Sequence, residues 1–552
     1  MTPNADDGHS KVESLETRSA RLTTFSRLKQ IFSQYLDIGK TPYFALALTF
    51  TYFLVGLFAA FHHEMWRDEI QAWLLARDST GVFDLLRHMK YEGHPALWHL
   101  LLIPITRLTA SPTGMQILHL LIATSTVFLV TRNSPLTPLQ KVCFAFGYYS
   151  LYEYGVVCRN YAVSLLLVTI LCTLLRQRYQ KPIPVALILF LMSHTSVHAL
   201  VLVISVALGL GLDYLLTRQD LAEDSTVSIL RINLGFAIIT VGILTAVLQL
   251  NPPADTGFAV GWYTQLDLKR IENFIRLIPR AFFPIPNRDL HFWGSEFLMQ
   301  SKTFAWFKTW KLQIACLILV LVIVATLDRP SALLIYLSST FGLLAFFYIK
   351  YQGAIRHHGF IFIAFLLTIW GGKHFRSYFQ LPDRFHTATR IGFNLLLTGI
   401  LFIHLVGGLR AVANEIKYPF SYGKLTAEFI RAKKLDILPM IGDIDYAAST
   451  VVGYLGKKEV YYVRGSRKGS FVRWDSQRTH GVNDTQVMQK AAEVSGQTHT
   501  HVLLILNHRL SVDLLATHPV EQLVEFTGST IGDEGFYLYL YQPSVTEFFV
   551  PE

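Results

Sequence analysis

Charge is the first thing this chain lacks. Only 16% of its 552 residues are Asp, Glu, Lys or Arg, against about a quarter in a soluble domain, which excludes an ordinary globular protein in water. Cysteine is nearly absent. Cys143, Cys158, Cys172 and Cys316 fall in or beside apolar runs with no metal-ligand spacing, so neither a disulfide framework nor a zinc site is implied. The short apolar core and small-residue cleavage site of a signal peptide are not seen in the first 40 residues. Residues 1–40 are polar, with Lys11, Arg18, Arg21, Arg27, Lys29 and Lys40, and read as a cytoplasmic tail. Gly453-Tyr454-Leu455-Gly456 lacks the rest of any nucleotide fingerprint. The formal charge of +10 sits mostly in short loops between apolar runs, where it reports topology and not a nucleic-acid partner.

What is present is apolar surface: 51% hydrophobic and 13% aromatic residues, gathered in runs of about 17 to 22 residues, the length that crosses a bilayer. The chain is therefore a polytopic helical membrane protein. The first span is expected at 42–61, followed by a long exterior loop over 62–112 and spans at 113–131, 142–157 and 161–175. Arg176, Arg178 and Lys181 form the densest basic cluster between spans and set that loop inside. Spans at 183–197, 199–216 and 231–250 follow, then a second exterior loop over 251–309 with an amphipathic patch at Leu266–Arg280, and spans at 311–327, 331–349, 359–371 and 391–409. About eleven crossings divide the chain into a tail (1–40), a membrane domain (41–410) and an extracytoplasmic domain (411–552). In the last of these, β-like runs alternate with helical ones, which predicts a small three-layer α/β domain.

Chemistry concentrates in residues 61–99. Asp68 and Glu69 stand where the first span leaves the bilayer, and Ile70, Trp73, Leu74 and Ala76 recur at a helical period on a segment too short to span, so this helix is expected to lie flat at the interface. Two acids there stand at the mouth of a membrane cavity, where a base must be to take a proton from a water-borne acceptor. The plainer alternative is that Asp68 caps the helix. The loop then reaches Tyr91-Glu92-Gly93-His94-Pro95 and a second juxtamembrane segment, Ala96–Leu108.

The topology brings three basic clusters to the same exterior level: Arg159 with Tyr154 and Tyr161, His194 with His198, and Arg356-His357-His358. Charged groups at membrane depth are expensive and usually functional, and three cationic sites at one level suit an anion. Arg159 alone could snorkel, and the histidines could be structural. His194 and His198 share an i, i+4 face, but further metal ligands are not evident, so a divalent metal stays open. Arg67, Glu92, His94, His194 and His198 are candidate substrate contacts. Arg473-Trp474-Asp475 is either a sugar-facing cluster or a solvated loop.

The acidic pair just past the first span, an amphipathic helix, and Gly93-His94-Pro95 followed by Leu97-Trp98 resemble the first external loop of the GT-C membrane glycosyltransferases. The likeness is closest to the branch of protein O-mannosyltransferases and lipid A aminoarabinose transferases. It is good over 42–180, weaker to 410, and absent beyond. It implies a GT-C-type bundle and sugar transfer from a polyprenyl-phosphate donor to a glycan, lipid or protein hydroxyl, with inversion. Asp68, with Glu69, matches the family's acidic catalytic position, and Arg159 with Tyr161 is similar to its donor-phosphate arginine. Arg356, His357 and His358 correspond by position only. Ala96 departs from the family's frequent second proline. Lack of an organelle-type signal and of disulfides fits a bacterial inner membrane. The competing readings are a transporter or flippase, and a glycan-assembly protein with this fold but no catalysis.

Overall fold

The computed structural model describes residues 34–257, 261–287, 298, 301–379, 383–479 and 481–542. The N-terminal tail to residue 33 and parts of the second loop lie outside them. Among the described residues, seven helices are long and apolar enough to cross a membrane: Pro42–His62, Thr113–Asn133, Val197–Glu223, Ile229–Leu250, Pro330–Ile349, Ile355–His374 and Ile391–Lys417. The pair Lys302–Thr309 and Lys311–Thr326, bent by 60°, supplies an eighth if it counts as one span. The chain is thus a helical membrane bundle joined to a C-terminal α/β domain.

The expected third, fourth and fifth spans form differently. The third breaks into helix Pro138–Ala145 and a wide-turned π-helix, Tyr148–Val156. The fourth and fifth are helices Tyr161–Leu174 and Pro182–Ser193, of 14 and 12 residues. At 1.5 Å rise per residue these fall short of the roughly 30 Å apolar layer. Polar side chains gather at the first break. Tyr148, Tyr152 and Tyr154 are buried, and their hydroxyls donate to Glu153, Glu415 and the Arg356 carbonyl at 2.7, 2.5 and 2.6 Å. π-helical turns are uncommon and concentrate at functional sites.

In the C-terminal domain six strands form one sheet: β1 (Met440–Gly442), β2 (Val460–Tyr462), β3 (Arg467–Gly469), β4 (Val502–Leu506), β5 (Val520–Phe526) and β6 (Phe536–Tyr541), in the order β3-β2-β1-β4-β6-β5. β1 pairs parallel with β2 and β4, while the outer pairings are antiparallel. Alternation along β4 sends Leu503 and Ile505 to one core, with helices Gly423–Ala432 and Asp445–Leu455, and Val502, Leu504 and Leu506 to the other, with Asp484–Thr498. This is the three-layer arrangement expected. Gly456, left-handed at φ 69°, ends helix Asp445–Leu455 as its C-cap.

The interfacial helix is where expectation and structure part most. Helix Arg67–Asp78 does not lie open on a membrane surface; Glu69 through Arg77 are all buried. One side packs on helix Leu97–Leu108 and the other on helix Asp445–Leu455 of the C-terminal domain. The approach is close enough that a Cβ on Gly453 would sit 2.3 Å from Ile70 Cγ2. The domain covers residues of both faces, meeting Ile70 of the expected apolar stripe at Gly453 and bonding the polar Gln71 at Val472.

Within the sheet, His508 follows β4 and donates from Nδ1 to Asp443, just after β1, at 2.9 Å, and from Nε2 to Asp484 at 2.7 Å. The bond to Asp443 is the main reason its pKa rises to about 9; burial opposes this and the Asp484 bond adds to it. Because the folded value lies above the ordinary histidine value, this stabilisation is complete below about pH 6.5 and is lost as pH rises through about 9. The apparent melting temperature of the domain in the full chain should fall across that window, and His508→Gln should flatten the dependence.

Candidate active site

The site starts from a turn. Residues 157–160 link the π-helix to helix Tyr161–Leu174, and two neighbours hold this turn. Glu69 Oε1 accepts from the Cys158 amide at 2.6 Å, and the His119 ring contacts the Gly155 and Arg159 carbonyls at 3.0 and 3.1 Å. With its backbone held, Arg159 projects Nη1 to 2.5 Å from Asp68 Oδ2. Arg356 reaches the same oxygen with Nη2 at 3.5 Å.

Arg356, His357 and His358 do not form a loop between spans. They occupy the first turn of helix Ile355–Gly371, with both histidines buried. The Tyr154 hydroxyl bonds the Arg356 carbonyl, and Gly359 makes the approach possible: a Cβ there would lie 2.2 Å from that hydroxyl. Two guanidiniums thereby meet one carboxylate. Their side chains are 10% and 13% exposed, while Asp68 keeps 30% open. Burial alone would raise the Asp68 carboxyl, but Arg159, Arg356 and Arg67 outweigh it and hold it below the usual carboxylate range.

Glu69 goes elsewhere. Its carboxylate is wholly buried and accepts from Cys158 N, His63 Nε2 and Trp66 N at 2.6, 2.8 and 3.2 Å. His63 in turn bonds Glu415 at 2.9 Å. Glu69, three residues beyond Trp66, is thus the residue that caps the helix, and Asp68 is not. Adjacent residues on a helix point about 100° apart, so one acid of the pair faces the arginines and its neighbour holds the turn that carries one of them. Glu69 does not join the catalytic position expected for it.

The two histidines expected on one helix face are separated by a break. His194 caps helix Pro182–Ser193 and spends both ring nitrogens on Phe190 O and Thr245 Oγ1, at 2.9 and 3.1 Å. His198 begins the next helix. It stacks on His357 at 5.0 Å between centroids, and both its ring nitrogens are buried without a hydrogen-bond partner, as is the Tyr161 hydroxyl. Arg159 lies over the Tyr161 ring at 5.8 Å. Buried polar atoms without partners are uncommon in native structures, and these lie beside the arginines, Tyr161 under Arg159 and His198 against His357, the residue after Arg356. No group of three or more His, Cys, Asp or Glu side chains among the described residues is placed to hold a metal ion.

Glu92 and His94 belong to the same field. Burial raises the Glu92 carboxyl to about 7, partly offset by a 2.7 Å hydrogen bond from Gln71 Nε2, with Asp68 adding to the rise and Arg159 opposing it. Burial lowers the His94 imidazole to about 4, helped by Arg159 and Arg356 and opposed by Asp68, so His94 is neutral near pH 7. Arg67 turns outward to Asp533 at 2.6 Å, while its amide bonds Glu534 at 3.0 Å. It clamps the C-terminal domain, while its charge still acts on Asp68. Arg473-Trp474-Asp475 is tethered while Arg473 stays exposed: Arg473 bonds the Tyr91 hydroxyl at 3.1 Å, the Trp474 carbonyl accepts from Gly257 N at 2.8 Å, and buried Asp475 pairs with Arg467 at 2.7 Å. Sequence reasoning passed over Gln71, Glu415 and His119. Their roles come from contacts with residues far away along the chain and leave no local signature.

Removing Glu69 leaves three donors facing a cavity. Glu69→Ala should cost about 3 to 5 kcal/mol, the range for breaking a buried charged pair, read as a lower melting temperature. Arg67→Ala, at the more exposed clamp, should cost about 1 kcal/mol or less.

No protein-family profile matches the chain, and no curated protein matches it. Among solved structures the chain is similar to ArnT from Cupriavidus metallidurans in the apo state, at 12% identity over 90% of this chain and 99% of that one, with a TM-score of 0.48. It is also similar to the same organism's ArnT bound to undecaprenyl phosphate, at 13% identity over 91% and 98%, with a TM-score of 0.47.

Proposed function

We propose that the protein is a membrane glycosyltransferase that moves a sugar from a polyprenyl-phosphate donor to an acceptor hydroxyl. The observation that carries this reading is the meeting of Arg159 and Arg356 on the single carboxylate of Asp68. In surroundings of effective dielectric about 20, two unit charges 4 Å apart interact by about 4 kcal/mol. Two guanidiniums converging on one carboxylate make a positive locus that favours a further anion. Guanidinium forks match phosphate oxygens with paired hydrogen bonds. A phosphate on a lipid chain reaches such a site from within the bilayer, past the buried polar atoms of His198 and Tyr161, while the acceptor enters from the side of the C-terminal domain.

The reaction is a single displacement. The acceptor oxygen attacks the anomeric carbon and the bond from that carbon to the phosphate oxygen breaks. Its electron pair leaves on the polyprenyl phosphate, the hydroxyl proton passes to a carboxylate of the site, and the anomeric centre inverts. Arg159 and Arg356 stabilise the charge that develops on the leaving phosphate. A glycan, a lipid or a protein hydroxyl would serve this chemistry equally, in the setting of a bacterial inner membrane.

The test is sugar transfer or slow donor hydrolysis by the purified protein with a panel of short-chain polyprenyl-phosphate sugars. Arg159→Ala and Arg356→Ala should each lower turnover by about 10²- to 10³-fold, the range for losing one preorganised donor. If no donor is turned over and none raises the melting temperature, the reading fails, and transport of a lipid-linked anion becomes the activity to assay.

A further inference from the structure

Resting on the transferase reading above, we propose that Glu92, not Asp68, takes the proton from the acceptor hydroxyl, and that Asp68 is a positioning residue that braces the two phosphate-binding arginines. The two carboxylates belong to one loop yet are held in opposite ways. Asp68 Oδ2 is taken by Arg159 and approached by Arg356. Placing a proton on that carboxylate weakens two charge-assisted contacts at the moment when the same arginines must steady a leaving phosphate. Glu92 has no cation within ion-pair distance among the described salt bridges. Its one described side-chain partner is the neutral amide of Gln71, bonded to Oε1.

The orientation of that amide is not free. Gln71 Oε1 accepts from the Val472 amide at 2.9 Å, and Gln71 Nε2 donates to the Val472 carbonyl at 2.8 Å. Both ends of the side chain are matched to a backbone segment of the C-terminal domain, so the nitrogen is the end that faces Glu92. One carboxylate oxygen is anchored by a fixed donor, which leaves the other to act.

The neighbouring backbone is fixed as well. The Tyr91 hydroxyl bonds both oxygens of Asp255, at 3.0 and 2.8 Å, and receives Arg473. Gly93 then turns the chain at φ 64°, a left-handed conformation suited to glycine. Glu92 therefore sits where the first loop, the second loop and the C-terminal domain converge. An acceptor presented by that domain would come to the arginines beside Glu92.

The charges that face Glu92 are Asp68 and Arg159, and His94 close by is neutral near pH 7. Burial brings the Glu92 carboxyl to about 7, whereas Asp68 is held below the usual carboxylate range. A base whose pKa lies near the working pH combines a useful ionised fraction with the driving force to accept a proton. Two carboxyls pushed apart in this way divide the work: one stays ionised as a fixed charge while the other exchanges protons.

Turnover and donor KM of the full chain, measured from pH 5 to 9 with a polyprenyl-phosphate sugar it uses, test this. In the wild type, kcat should rise with pH through a midpoint near 7. Glu92→Gln should lower kcat by about 10²- to 10⁴-fold, abolish that limb and leave donor KM within about twofold; Glu92→Asp should restore a limb. Asp68→Asn should raise donor KM by about tenfold or more and keep the limb, moved to lower pH because the Asp68 charge no longer adds to the rise at Glu92. A limb that survives Glu92→Gln, or that disappears in Asp68→Asn, overturns the assignment while leaving the transferase reading intact. A wild-type protein inactive with every donor overturns both.

Discussion

Burying a polar helix is the constraint on which the rest of this structure depends. Arg67–Asp78 carries Asp68, Glu69, Gln71, Arg77 and Asp78 on a short segment and is enclosed between the bundle and the C-terminal domain. A buried polar group without a partner costs about 1 to 3 kcal/mol, and more if charged, so each side chain requires a matching group brought from elsewhere. Glu69 is answered by the Cys158 amide and His63, Gln71 by Val472, Arg67 by Asp533, and Arg77 by the Lys457 carbonyl at 2.6 Å. Asp68 is answered by Arg159 and Arg356. The helix reads as a template on which two spans, two loops and a separate domain are registered.

That registration explains why a site at a membrane boundary can be both charged and rigid. Arg159 has its turn held by Glu69 and His119, and Arg356 stands in the first turn of a helix that Gly359 allows against the π-helix. The guanidiniums are therefore set before any ligand arrives, and under the function proposed above a phosphate would not have to organise them. Preorganised charge of this kind does more for a developing anion than mobile charge does. The π-helix belongs to the same design, since its tyrosine hydroxyls tie the arginine-bearing helix to the bundle.

Much of the architecture was legible in the sequence because hydropathy and charge are local quantities. The first span, the boundaries of Thr113–Asn133 and Ile229–Leu250, and the layered C-terminal domain follow from runs and periodicities that the structure reproduces. Asp68, Arg159 and Arg356 were also legible as a group, since placing spans and loops in sequence sets those three at one level. The expected regular third span was not formed: a π-helix stands there, and the hydroxyls of Tyr152 and Tyr154 bond across the bundle to Glu415 and the Arg356 carbonyl while that of Tyr148 bonds Glu153 in the same helix. The shared face for His194 and His198 failed for a similar reason: Ser196 caps a new helix, its hydroxyl accepting from Ala199 N at 3.1 Å, and periodicity cannot be carried across that break.

By itself, then, the sequence determined that this chain enters a membrane many times, that a separate α/β domain follows, and that an acid and two arginines gather at one end of the bundle. These follow from composition and from the order of apolar runs. Tertiary structure decided which acid of the Asp68–Glu69 pair faces the arginines, that the helix bearing them is buried and not spread on a surface, and that Glu92 is held at the junction of three segments. Each of those depends on partners hundreds of residues away, Val472 and Glu534 among them. Only the folded chain brings such partners within the 3 Å at which a hydrogen bond selects one orientation over another.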